Sequence, residues 1–178
     1  MQKNLFIAYF SRPGENYAGG SIVSLPVGNT EIAAKKAQAL TGGDLFRILP
    51  AHPYPESYHA CTEAAQRELR EGARPEIAEA PARLDRYGAV LLAYPNWWGS
   101  MPMPVWTFLE QNDFSGKQIL PLCTHEGSGM GRSEADIQKL CPNSDVRSGL
   151  PLLGSRVASC DALLSDWLKK NSIKGEFI

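Results

Sequence analysis

The 178-residue chain has no long apolar run. Stretches such as Ala89 to Pro95 fall far short of the ~20 residues that span a bilayer, and mean hydropathy is −0.25, so a membrane helix is excluded. Charge of one sign is equally scarce. Lys plus Arg number 18 against 19 Asp plus Glu, a net charge of −1, which leaves no field to hold a nucleic acid or an anionic membrane in bulk. Histidines number only 3, and the 4 cysteines (Cys61, Cys123, Cys141, Cys160) show no Cys-x-x-Cys pair or other metal-ligand spacing. They read as reduced, structural thiols, and no metal site is expected. The start, Met1-Gln2-Lys3-Asn4, leads straight into strand-like residues without an apolar signal region, so a cytoplasmic protein is expected. Gly (16) and Pro (13) are little above ordinary usage, which excludes a collagenous or low-complexity chain. With 43% hydrophobic residues, one domain over residues 1–178 can bury a real core.

What is present alternates. Residues 4–10, Leu45 to Leu49, Ala89 to Tyr94 and Ile119 to Cys123 are near-continuous apolar runs, as expected of strands covered on both faces. Val146 to Leu153 supplies a fifth, weakened by Gly149 and Pro151. Helical patterns fall between them: Glu31 to Leu40 after a Thr30 N-cap, residues 56–71, Val105 to Gln111, Glu134 to Leu140 and Asp161 to Lys170. Strand followed by helix, repeated, predicts a three-layer α/β fold with a parallel sheet, whose ligands bind at the carboxyl ends of the strands. His52-Pro53-Tyr54-Pro55 reads as a rigid turn, and Trp106 and Trp167 as core or interface anchors.

Three strand-end loops are unusual. After Phe10 come Ser11-Arg12-Pro13, a Gly- and Ser-rich excursion, and Gly28-Asn29-Thr30 before a helix. Small residues and hydroxyls at a helix start suit a phosphate, although simple helix capping by Thr30 is the plainer reading. There is no Gly-x-x-x-x-Gly-Lys-Ser/Thr, which argues against a P-loop nucleotidase. After Tyr94, the run Pro95-Asn96-Trp97-Trp98-Gly99 offers two adjacent indoles, of which at least one should be partly exposed for stacking on a planar ring; a dimer-interface patch is the competing reading. After Cys123, Thr124-His125-Glu126-Gly127-Ser128-Gly129-Met130-Gly131 allows close backbone approach but lacks the Gly-x-Gly-x-x-Gly of a dinucleotide fold, and no Gly-x-Ser-x-Gly marks a hydrolase. His125 reads as a polar loop residue.

A phosphate cradle, an aromatic platform and a glycine-rich wall describe a pocket for a phosphorylated planar heterocycle, with FMN the best match. In these blocks, Ser-…-Gly-Asn-Thr, Pro-x-Trp-Trp-Gly and Thr-x-x-Gly-Ser-Gly-x-Gly, the sequence resembles the flavodoxin-like family over most of its length. The resemblance implies a five-stranded parallel sheet in the order 2-1-3-4-5. It implies FMN with its phosphate over Ser11, Arg12, Gly28, Asn29 and Thr30, its ring by Pro95, Asn96, Trp97, Trp98 and Gly99, and its far side by Thr124, His125, Glu126, Gly127 and Gly129. No catalytic side chain is required, because the flavin carries the chemistry.

Two departures from the family pattern stand out. Ser11 and Gly28 are separated by an insert at about residues 13–26, expected to fold aside as a lid or an oligomer contact. The chain also lacks the strongly acidic balance of electron-carrier flavodoxins. Two redox readings follow: an electron carrier for a partner protein, or an NAD(P)H-driven reductase of a small acceptor such as a quinone. A homodimer is a further expectation. The reading from another class is a binding or scaffold module that keeps the fold without flavin. A phosphoacceptor of the response-regulator kind is disfavoured, since Phe10-Ser11-Arg12 stands where an acidic pair is needed.

Overall fold

Alternate residues of the first strand feed two separate cores. Leu5, Ile7 and Tyr9 of β1 (Leu5–Tyr9) pack with Ala33, Ala34 and Ala37 of α1 (Asn29–Thr41) and with Leu164, Trp167 and Leu168 of α5 (Asp161–Lys170). Phe6 and Ala8 face the other way, with Val105, Phe108 and Leu109 of α3 (Met103–Gln111) and Ile137 of α4 (Ser133–Leu140). That two-sided burial is the reason the strand reads as an unbroken apolar run. The computed structural model describes residues 4–81 and 83–173; residues 1–3, which precede the first strand, and 82 and 174–178 lie outside it.

β1 sits between β4 (Asp44–Arg47) and β5 (Ala89–Pro95), and β6 (Gln118–His125) follows β5, all parallel. The fifth position is split. β7 (Asp145–Val146) and β8 (Leu150–Leu153) both pair in parallel with β6, so the expected single strand over Val146 to Leu153 is two pieces. Between them Gly149 donates its N–H to Glu134 Oε1 at 2.6 Å, and a Cβ there would lie 2.3 Å from Met130 Cε. Counting the split pair as one position, the order is 2-1-3-4-5, with helices packed on both faces. Among the described residues no helix is long and apolar enough to cross a membrane.

The insert between β1 and α1 is a β-hairpin. β2 (Gly14–Ala18) and β3 (Ser21–Leu25) pair antiparallel through Gly19 and Gly20, whose φ values of +62° and +93° give a tight turn that glycine alone adopts without strain. It forms a sheet of its own, apart from the central one. Helix α2 (Tyr58–Glu71) starts at Ser57, whose Oγ accepts from the Ala60 N–H at 3.2 Å. The four cysteines are free and buried.

Candidate functional site

The carboxyl ends of β1, β5 and β6 open into a cavity of about 370 Å³, roofed by the hairpin and walled by the first turns of α2. At the first of these ends, the hairpin leaves the cradle intact. Gly28 lies so close to Ser11 that a Cβ at Gly28 would sit 2.2 Å from Ser11 Oγ and 2.7 Å from the Arg12 carbonyl oxygen. Ser11 Oγ accepts from the Glu31 N–H at 3.1 Å, so the cap of α1 comes from Ser11. Thr30, the residue expected to cap, is instead inside the helix and buried, with Gly28 at the N-cap position. The reason is spatial: Thr30 turns its hydroxyl inward to Thr124 Oγ1 of β6, at 2.7 Å.

This arrangement is rich in donors. First-turn amides of a helix have no intrahelical acceptor, so those of Asn29 and Thr30 are open to a ligand. Ser11 accepts from Glu31 and keeps its own hydroxyl hydrogen to donate. The Thr30–Thr124 pair holds two hydroxyl hydrogens and spends one between them, leaving the other. Donors converging on a helix start fit an acceptor-only phosphate group. Arg12 lines the cavity, but its guanidinium donates to the carbonyls of Pro55 (2.6 Å), Glu56 and Glu15, fastening the hairpin base to the segment before α2.

At the end of β5 the two tryptophans diverge. Trp97 turns toward the core, edge-on to Phe10 at 5.2 Å and to Tyr54 at 5.0 Å between ring centroids, while Trp98 is 47% exposed. Both line the cavity, with Pro95, Asn96 and Gly99. Trp97 and Ser100 exchange backbone hydrogen bonds around Trp98 and Gly99, whose φ values of +55° and +81° make a tight reverse turn. Positive φ is unusual for a bulky residue, and Trp98 is held there by its indole N–H, which donates to the Thr62 carbonyl of α2 at 3.0 Å. Asn96 fixes the turn from behind: its Oδ1 accepts from Gly99 N–H, and its Nδ2 donates to the Gly129 carbonyl at 2.9 Å.

At the end of β6, Thr124, His125, Glu126 and Ser128 line the cavity, whereas Gly28, Gly127 and Gly129, read from the sequence as cofactor-binding, do not. Gly127 gives its N–H to His125 Nδ1 at 2.9 Å, and the Gly129 carbonyl is turned to Asn96. Both oxygens of Glu126 are taken by backbone: Oε2 by Gly19 N–H of the hairpin turn (3.1 Å) and Oε1 by Ser155 N–H (2.6 Å). Glu126 thus clasps the hairpin tip to the segment after β8.

Asn16, Tyr17, Tyr58, Cys61, Thr62, Ala65 and Gly154 also line the cavity and are absent from the residues read off the sequence. Hairpin and α2 are joined at their bases, where Glu15 Oε2 accepts from Tyr58 N–H at 2.8 Å. One cue was available. Gly19-Gly20 between alternating residues is a hairpin pattern, and it would have turned one face of the insert toward the strand ends.

Burial favours the neutral form of Cys61, which lines the cavity, and of Cys123, Tyr54 and Glu68. Burial pushes up the thiol of Cys61, and burial carries Cys123 to about 12. The phenol of Tyr54 is held far above its ordinary range, by burial first and then by its bond to Glu68. Burial likewise raises Glu68. None is poised as a nucleophile, and among the described residues no group of three or more His, Cys, Asp or Glu could hold a metal ion.

Comparison with known proteins finds flavoproteins that share the fold. A candidate flavoprotein of Bacteroides eggerthii superposes with a TM-score of 0.77 at 27% identity, covering 97% of this chain and all of that one (100%). Another from Bacteroides uniformis gives 0.74 at 24% identity over 95% and 99% of the two chains. A Lactobacillus acidophilus flavoprotein solved in complex with FMN shares the fold, with a TM-score of 0.64 at 17% identity over 88% and 97%. No curated protein matches the chain. The sequence profile of the flavodoxins matches residues 22–171, from β3 through the end of α5, and by that match the chain belongs to the flavodoxin family.

Proposed function

We propose that this protein binds FMN at the ends of β1, β5 and β6 and uses it to reduce a small acceptor. The observation that carries the reading is the cradle at Ser11 and Gly28-Asn29-Thr30, which stays closed and donor-rich across a whole inserted hairpin. Bound FMN would supply reversible one- and two-electron chemistry, with NAD(P)H as the electron source. The chain's part is placement. Ser11, the amides of Asn29 and Thr30 and the spare hydroxyl of the Thr30–Thr124 pair hold the phosphate; Asn96 to Gly99 present a rigid backbone turn to the ring, and Trp97 and Trp98 present apolar faces. In this reading Gly28, Gly127 and Gly129 shape the loops that carry the site, and Arg12, His125 and Glu126 line it.

A small acceptor is favoured over a partner protein for two reasons. The net charge of −1 provides no strong docking field, and the hairpin stands over the cavity. The deciding experiment is an absorbance titration of the purified chain with FMN, followed by anaerobic mixing with NAD(P)H. Tight binding and bleaching of the flavin band by NAD(P)H are expected. Binding without bleaching would make the protein a carrier, and no binding would make it a scaffold that keeps the fold.

A further inference from the structure

The reverse turn that brings Trp97, Trp98 and Gly99 to the cavity is closed by Ser100, which is itself wholly buried. Its hydroxyl donates to Asp136 Oδ2, in the first turn of α4. The same carboxylate oxygen takes the Arg132 guanidinium, with Nε at 3.2 Å, and the Arg132 backbone N–H donates to the Gly99 carbonyl at 2.8 Å. Gly131 permits that last contact, because a Cβ there would lie 2.2 Å from the Gly99 oxygen. One carboxylate thus gathers two chains of bonds, which end on adjacent residues of the turn.

An acid in the first turn of a helix ordinarily serves the helix itself, through its amides and dipole. The Asp136 side chain is mostly buried and turned to its neighbours instead, with Ser100 on one side and Arg132 on the other. The start of α4 has an anchor of its own. The fully buried Tyr94 of β5 donates its hydroxyl to Ser133 Oγ at 2.8 Å, and Ser133 Oγ donates to the Met130 carbonyl at 2.6 Å. Loss of the Asp136 carboxylate leaves that anchor in place and releases the turn. Neither Ser100 nor Asp136 lines the cavity, so an effect of either on a bound molecule passes through the turn.

We propose that Asp136 is a positioning residue, which acts through Ser100 and Arg132 to fix the Trp97–Gly99 turn against the cofactor ring. This rests on the FMN reading above. A turn that presents indoles and backbone to a ring sets how tightly the ring is held and how far its oxidised and reduced forms differ in energy, so loosening it moves affinity and potential together. A hydrogen bond to a charged acceptor corresponds to a roughly 10- to 100-fold change in a local opening equilibrium.

The test compares the parent chain with Asp136→Ala, Ser100→Ala and Asp136→Asn, the last of which keeps an oxygen to accept from Ser100 but no charge. Hydrogen exchange of the Gly99, Ser100 and Arg132 amides is read first, without cofactor. Exchange about tenfold faster is expected in both alanine variants, with Asp136→Asn like the parent. The Phe10 amide, bonded to the Ala93 carbonyl in the central sheet, should be unaffected throughout. FMN titration and spectroelectrochemistry follow. The alanine variants should hold FMN several-fold more weakly and at a displaced midpoint potential, while Asp136→Asn matches the parent in both. The double variant Ser100→Ala/Asp136→Ala should bind no more weakly than Asp136→Ala alone, because both act on one chain of contacts. Unchanged exchange at these amides overturns the positioning role, as does faster exchange with parent-like affinity and potential. A potential displaced as far in Asp136→Asn as in Asp136→Ala would assign the effect to the carboxylate's charge and overturns it too. In each of these cases FMN binding by the parent stands; a parent that takes up no FMN overturns both readings.

Discussion

Ser11 Oγ accepts the N–H of Glu31 at 3.1 Å although the two lie 20 positions apart in the chain with an entire β-hairpin between them. A helix cap is ordinarily a local device, read from the residue just before the helix. Here the residue at the cap position is Gly28, which has no side chain to offer, and the bond is made across the mouth of the hairpin. Capping the helix and closing the cradle are therefore one interaction.

Replacing Gly28 with alanine tests that coupling. The new methyl would lie 2.2 Å from Ser11 Oγ and 2.7 Å from a backbone oxygen, so Ser11 must move and the cap is lost. A stability loss of ~1–3 kcal/mol is expected from overpacking alone, together with at least a tenfold weaker hold on FMN. Urea unfolding and quenching of flavin fluorescence measure the two. Unchanged FMN affinity would remove the phosphate from this cradle.

Gly99→Val addresses the turn after β5. A β-branched residue at φ +81° is strained, at a cost of ~1–2 kcal/mol, and the turn's backbone must shift to relieve it. The midpoint potentials of bound FMN should move with it. Identical potentials in parent and variant, read by spectroelectrochemistry, would show that the Asn96 to Gly99 backbone does not face the ring.

Glu126→Ala should free the hairpin tip. It removes the acceptors of both Gly19 and Ser155 amides, at surface-exposed positions, so global stability falls by only about 1 kcal/mol. Local opening should increase much more. Faster hydrogen exchange at the Gly19 amide and faster proteolysis near Gly19-Gly20 are expected; equal rates would mean that the base contacts of Arg12 and Glu15 hold the hairpin unaided.

Glu68 gives a pH-dependent signature. Its carboxyl is raised above the ordinary 4.5, chiefly by burial, while the Tyr54 hydroxyl donating to it acts in the opposite sense. The folded state thus holds this proton more tightly than the unfolded one, and the stability it contributes is full below pH 4.5 and lost as pH rises through the folded value. Parent protein should lose stability relative to Glu68→Gln across that interval, then run parallel to it. Parallel denaturation curves at every pH would show that the carboxyl is not desolvated.

Much of the scaffold was legible because burial on both faces leaves its mark on sequence. β1, β5 and the Ile119 to Cys123 centre of β6 are unbroken apolar runs, and α1 ends at the expected left-handed Gly42, with φ of +68°. Each cavity-lining residue named in advance sits beside a strand end, where topology alone predicts a ligand. What was hidden depends on contacts distant in sequence. Thr30 reads as a cap until Thr124, 94 residues on, claims its hydroxyl. Tyr58, Thr62 and Ala65 read as faces of a surface helix, since nothing near them in the chain tells that a hairpin from residues 14–25 will lean on the first turn. The fifth strand reads as one run until Glu134 captures the Gly149 amide at its centre.

The two ends of the hairpin meet where Gly28 abuts Ser11 and the Arg12 carbonyl. An insertion whose ends touch is a cassette: the chain leaves and re-enters the scaffold at the same point, so its length and sequence can change without displacing anything downstream, and lengthening it adds little closure entropy. The hairpin can therefore be rewritten while the junction of Ser11 and Gly28, which caps α1, stays fixed.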